Sequence, residues 1–189
     1  MDAKELIKSG LETTKRAVDR VLDGLTPAEI KWQPRSDANS IGLILFHMAR
    51  VEDSMVQARL RQKKQTWEQD RWYEKFGKDK DDSGSHYTEE QVASFRVPDL
   101  KELLAYTAAV RQSTIEFLQE MTSEKLDQKV ELPPMGPPRP AAPSGQSAPP
   151  RRPPFEPIVG LMLLNTVTHL AQHAGEISYL RGLQRGLDK

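Results

Sequence analysis

The chain has 189 residues, no cysteine, and 27 basic side chains set against 27 acidic ones. That length suits one ordinary domain and buries roughly 70% of the surface the unfolded form exposes. Balanced charge gives no overall field of the kind that draws a protein to nucleic acid or an anionic membrane. The lack of thiols excludes disulfides, zinc–cysteine sites and an internal sulfur nucleophile. The opening "MDAKELIKSGLETTKRAVDRVL" lacks the apolar core of a secretion signal, and no apolar run reaches the ~18–20 residues of a membrane span. The expectation is a soluble, cytoplasmic protein with neither nucleic acid nor membrane as partner.

In residues 4–25, Leu6, Ile7, Leu11, Val18, Val21, Leu22 and Leu25 recur at spacings of three and four, which predicts a helix with one buried stripe. In "TPAE", Thr26 is an N-cap, Pro27 takes the first helical position and Glu29 closes a capping box, so a short helical turn precedes Trp32 and Pro34. Asn39 or Ser40 caps a second long helix over about 40–63, with His47 beside its apolar stripe. Residues 64–98 are polar and broken. There "TWEQDRWYEKFG" reads as a short amphipathic helix, "KDKDDSGS" as a loop and "TEEQ" as another capping box.

Pro98 and Asp99 open a third helix, "DLKELLAYTAAVRQSTIEFLQEM", followed by a capped turn at "TSEKL". Residues 133–157 contain 11 of the chain's 14 prolines, too many missing donors and fixed φ angles for helix or central strand, so a long extended loop is expected. Glu156 and Pro157 restart regular structure, and a fourth helix runs to about residue 183, ending at Gly186. The whole reads as an all-α four-helix bundle forming one domain over 1–189, with 133–157 as an insertion.

Two of the four histidines, His169 and His173, lie in "NTVTHLAQHAGEISYLRGLQRG". On a helix they stand about 40° apart in azimuth and roughly 6 Å apart along one face, so both imidazoles reach one ion. A buried pair satisfied by ordinary hydrogen bonds is the plain alternative. His47 shifts the balance, because it sits in the apolar "IGLILFHMA", where a lone imidazole needs a partner to offset its burial. Neutral imidazole suits zinc, nickel, iron, manganese or copper, and three protein ligands leave positions open for water or substrate.

Glu176 shares the stripe of His169 and is a fourth ligand, an acceptor behind a ligand or a general base. Its plain alternative is a surface pair with Arg181. Arg50, three residues after His47, is the candidate for holding an anionic substrate group. His86 lies in the polar "SGSHYTEE" and is expected to be exposed and outside the site. No H-E-x-x-H and no Glu-x-x-His is present, so a zinc-protease site or a di-iron bundle is not indicated.

Trp32 and Pro34 as "W-x-P", "NSIGLILFHMARVED" around His47, and "HLAQHAGEISYLRGLQRG" with His169 and His173 together resemble the DinB-like and YfiT-like metalloenzymes, nearly end to end. The resemblance assigns the metal-ligand role to those three histidines. It implies an up-down-down-up bundle with a long crossover between helices two and three, supplied by 64–98, and assembly as a homodimer. Several relatives look like S-transferases in which the metal holds the thiolate of a small cellular thiol, and this chain has no thiol of its own.

The expectation is therefore a metal-dependent enzyme acting on a small electrophile with a low-molecular-weight thiol as co-substrate. Two alternatives stand beside it: a hydrolase using metal-bound hydroxide, and a non-catalytic dimeric stress-response or binding protein with a structural ion. The proline-rich insertion reads either as a surface loop or as a strap across the cleft or a partner, with Arg139, Arg151 and Arg152 as its positive charge.

Overall fold

The computed structural model describes residues 2–131 and 157–186. Helix α1 (Ala3–Leu22) starts where the Asp2 carboxylate accepts the amide of Glu5 at 2.8 Å, and it buries Ile7, Leu11, Thr14, Val18 and Val21. The reciprocal capping box of Thr26 and Glu29 nucleates α2 (Pro27–Lys31). The hydroxyl of Ser40 caps α3 (Ile41–Asp53), which continues without a break into a π-helical stretch, Ser54–Leu60, that buries Val56 and Gln57.

The expected amphipathic helix of the crossover is two single turns, α4 (Thr66–Gln69) and α5 (Trp72–Lys75). Between them Arg71 adopts φ 53°, a left-handed conformation that stops a right-handed helix. After α6 (Glu89–Ala93), capped by Thr88 and Gln91, Asp99 caps α7 (Leu100–Gln119) and Thr122 caps α8 (Ser123–Leu126). The last element, α9 (Val159–Arg185), ends at Gly186 with φ 80°.

The four long helices are α1, α3 with its extension, α7 and α9, and no strand occurs among the described residues. Helix α1 packs along α9, and α3 lies against both α7 and α9. One apolar cluster includes Leu11 of α1, Phe46 of α3, Tyr106 of α7 and Ile177 of α9. At about 1.5–3 kcal/mol for each fully buried large side chain, it supplies the main driving force for folding. None of the described helices is long and apolar enough to cross a membrane.

Two ionic clamps lock the packing. Arg111 forms a bidentate pair with Glu52, both bonds at 2.8 Å, and donates to the Leu11 carbonyl at 2.8 Å, joining α7, α3 and α1. Arg185 pairs with Glu29 and donates to the Gly24 carbonyl at 2.7 Å, fastening the end of α9 to the α1–α2 corner. Of the proline-rich 133–157, all but Pro157 lies outside the described residues. Its flanks meet where the Val130 amide donates to the Pro157 carbonyl at 2.7 Å and the Val159 amide to the Gln128 carbonyl at 3.0 Å.

Candidate metal centre

Packing of α3 on α9 sets His47 opposite His169 and His173, which occupy successive turns of α9. The Nε2 atom of His169 lies 3.2 Å from Nε2 of His47 and 3.1 Å from Nε2 of His173. One donor atom from each ring falls within 4.8 Å of the other two. Behind the rings, Nδ1 of His47 donates to the Gly84 carbonyl at 2.7 Å, with the Ser85 hydroxyl at 3.2 Å. Nδ1 of His173 donates to the Glu176 carboxylate at 2.8 Å.

Those partners decide where the protons sit. A carbonyl and a carboxylate only accept, so His47 and His173 carry hydrogen on Nδ1 and, when neutral, a bare lone pair on Nε2. Both lone pairs face His169 Nε2, which has at most one proton to offer, and His169 Nδ1 is buried with no hydrogen-bond partner. Three imidazoles thus converge with a shortage of protons between them. Bonds of ~2.1 Å to one ion separate cis or tetrahedral nitrogens by about 3.0–3.4 Å, which matches both observed spacings. The donor set fits a divalent transition metal.

Burial holds the pKa of His47 below the usual histidine range, although the Gly84 carbonyl opposes the shift. Burial, reinforced by the charges of His173 and His47, takes His169 down to about 4. Both rings are therefore neutral, the ligating form, at physiological pH.

A cavity of about 230 Å³ opens beside His47 and His173. Leu43, Ile44 and Val92 form its apolar wall, and Asn39, Ser85, His86 and Tyr87 its polar one. His86 is exposed, as expected, yet it stands at this cleft, at φ 59°. A larger cavity of about 420 Å³ lies on the other face of α3, over Leu45, Met48 and Ala49, and no histidine lines it. The histidine-lined cleft is the one next to the converging nitrogen donors.

Glu176 stands behind His173 rather than among the converging donors, with its side chain 51% exposed. It is not bonded to Arg181, whose Nε is buried without a partner. Arg50 is 4% exposed and points into the protein. Its guanidinium donates to the Asp82 carbonyl, Gln65 and Tyr106, and stacks over Trp67 with 4.4 Å to the ring centroid. Sequence reasoning did not find Asp82, Gly84, Ser85 and Tyr87, which shape the cleft. Gly84 inside "DSGS" was the one available signal, since φ 68° there favours glycine.

Among the described residues the fold and site define a helical protein with a three-imidazole cluster that could hold a metal ion, beside a small cleft. The chain belongs to the DinB superfamily, whose family model matches residues 11–177. Its fold is also that of a conserved protein from Enterococcus faecalis, whose crystal structure superposes with a TM-score of 0.75 at 22% identity, covering 97% of each chain. No curated protein matches the sequence.

Proposed function

We propose that this protein binds one divalent transition-metal ion through His47, His169 and His173 and uses it to transfer a small thiol onto a small electrophile in the adjoining cleft. The observation that carries the proposal is the convergence of three Nε2 atoms, with the Nδ1 atoms of His47 and His173 turned outward onto acceptors. When bound, such an ion acts as a Lewis acid and lowers the pKa of a coordinated thiol or water.

The chain's own residues do the rest. Gly84 and Glu176 fix two rings in the ligating tautomer. Leu43, Ile44 and Val92 exclude water from one side of the cleft, while Asn39 and His86 offer hydrogen bonds on the other. Among the described residues that line the cleft there is no lysine or arginine, which favours an uncharged electrophile over an anionic one. A thiol must come from outside, because the chain has no cysteine.

Metal analysis of tag-free protein tests the first step. Wild type should hold about one equivalent of Zn²⁺ after exposure and dialysis, and His173→Ala much less. No stoichiometric uptake by wild type would overturn the proposal. A panel of electrophiles assayed with and without small thiols tests the second: turnover independent of thiol replaces transfer by hydrolysis, and no turnover with a tightly held ion leaves a structural metal.

A further inference from the structure

We infer that Arg50 is a positioning residue for His47, acting through the loop 82–87; the inference rests on the metal-binding proposal above. Arg50 lies one turn beyond His47 on α3, and its side chain reaches away from the histidines into a buried polar cluster. There Nε donates to the Asp82 carbonyl at 3.0 Å, and Nη1 donates to Gln65 Oε1 at 2.8 Å and Tyr106 Oη at 3.2 Å. Asp53, fully buried, lies 3.7 Å from the same guanidinium and accepts the amides of Thr66 and Trp67 at 2.9 and 2.8 Å. The Trp67 indole donates in turn to the Lys80 carbonyl at 2.8 Å. The crossover is thus held from α3 at its start, through Asp53 to Thr66 and Trp67, and again near its middle, through Arg50 to Asp82.

From Asp82 the connection runs back to the metal centre. Its carboxylate accepts the Gly84 amide at 2.9 Å and the Tyr87 hydroxyl at 2.6 Å, which curls the chain so that the Gly84 carbonyl meets His47 Nδ1 at 2.7 Å. The stem of Arg50 is also the floor of this curl: a Cβ at Gly84 would stand 2.9 Å from both its Cβ and Cγ. One side chain therefore bonds the loop, supports it and fixes the height of the carbonyl that selects the His47 tautomer. A neutral imidazole without that acceptor is free to place its proton on Nε2, where it blocks coordination. Lysine cannot replace the fork, because a single ammonium does not reach Asp82, Gln65 and Tyr106 in one plane.

The test uses Arg50→Lys and Asp82→Ala, the latter keeping the buried Arg50–Asp53 pair and cutting only the curl. Two readouts are needed: Zn²⁺ affinity by chelator competition, and the His47 tautomer in metal-free protein by long-range ¹H–¹⁵N correlation. The wild type is expected to show one Nδ1–H tautomer. Both variants should show mixed tautomers and a roughly 10–100-fold weaker Zn²⁺ affinity at unchanged helical content. A folded Arg50→Lys with wild-type affinity and a fixed tautomer overturns the inference. If Arg50→Lys does not fold, Asp82→Ala decides in the same terms. A wild type that takes up no Zn²⁺ refutes the metal proposal alone, and the tautomer measurement then still decides the role of Arg50.

Discussion

Alanine at Gly84 perturbs the loop behind His47 in two separable ways. At φ 68° a side chain costs about 1–2 kcal/mol. The new Cβ also meets Cβ and Cγ of Arg50 at 2.9 Å, atoms next to the α3 backbone that cannot swing aside, an overpacking penalty of about 1–3 kcal/mol. Gly77 separates the two, since it has φ 59° with nothing within 4 Å of a built Cβ. In urea denaturation of metal-free protein, Gly77→Ala is expected to lose about 1–2 kcal/mol and Gly84→Ala about 2–5 kcal/mol. Only Gly84→Ala should weaken Zn²⁺ binding, because only its carbonyl faces His47. Equal losses of stability would refute the contact argument, and full Zn²⁺ affinity in Gly84→Ala would refute the carbonyl's role.

Glu176→Ala removes the acceptor behind His173 and should weaken Zn²⁺ affinity about 10-fold or more with little change in melting temperature; an unaltered affinity would reduce Glu176 to a surface residue. Gly42→Ala drives a Cβ into Val97 Cγ1, so the variant should be destabilised and Val97→Ala should restore part of the loss, as read by chemical denaturation. A double variant no more stable than Gly42→Ala would contradict the crowding. The Arg185 guanidinium and the Thr26 cap hold the Glu29 carboxyl down to about 2, from an ordinary 4.5. The unfolded chain then binds the proton first, so this clamp stabilises fully above about pH 4.5 and is lost as pH falls toward about 2. Urea titrations across that range should show a flatter acid limb for Glu29→Gln, and identical limbs would discard the clamp.

The four long helices were legible because their apolar spacing and caps are local: Ser40, Asp99 and Thr26 sit next to the turns they cap. The histidine cluster was legible for a related reason. One pair is a single helical turn apart, and the third ring lies in an apolar run where an unpartnered imidazole would be costly. The loop behind His47 was not legible, since Gly84 reaches it across 37 positions through Asp82 and Arg50.

For Arg50 the sequence shows only that it follows His47 by three. That its guanidinium turns inward depends on Gln65, Trp67 and Tyr106 arriving from two other elements. The break at Arg71 and the turn at His86 both use left-handed backbone at non-glycine residues, which composition does not announce. The π-helical stretch that extends α3 follows the same helical sequence pattern without a visible mark.

The paired amides and carbonyls joining Gln128 and Val130 to Pro157 and Val159 have a topological meaning. The two flanks of positions 132–156 meet at one seam, so the ends of that 25-residue segment are pinned side by side. With the ends of a segment pinned, its closure entropy changes by about 0.6 kcal/mol for each doubling of its length. The start of α9 is set by the seam, and with it the height of His169 and His173 opposite His47. This seam is where the chain can be lengthened or shortened by design with His47, His169 and His173 kept in register.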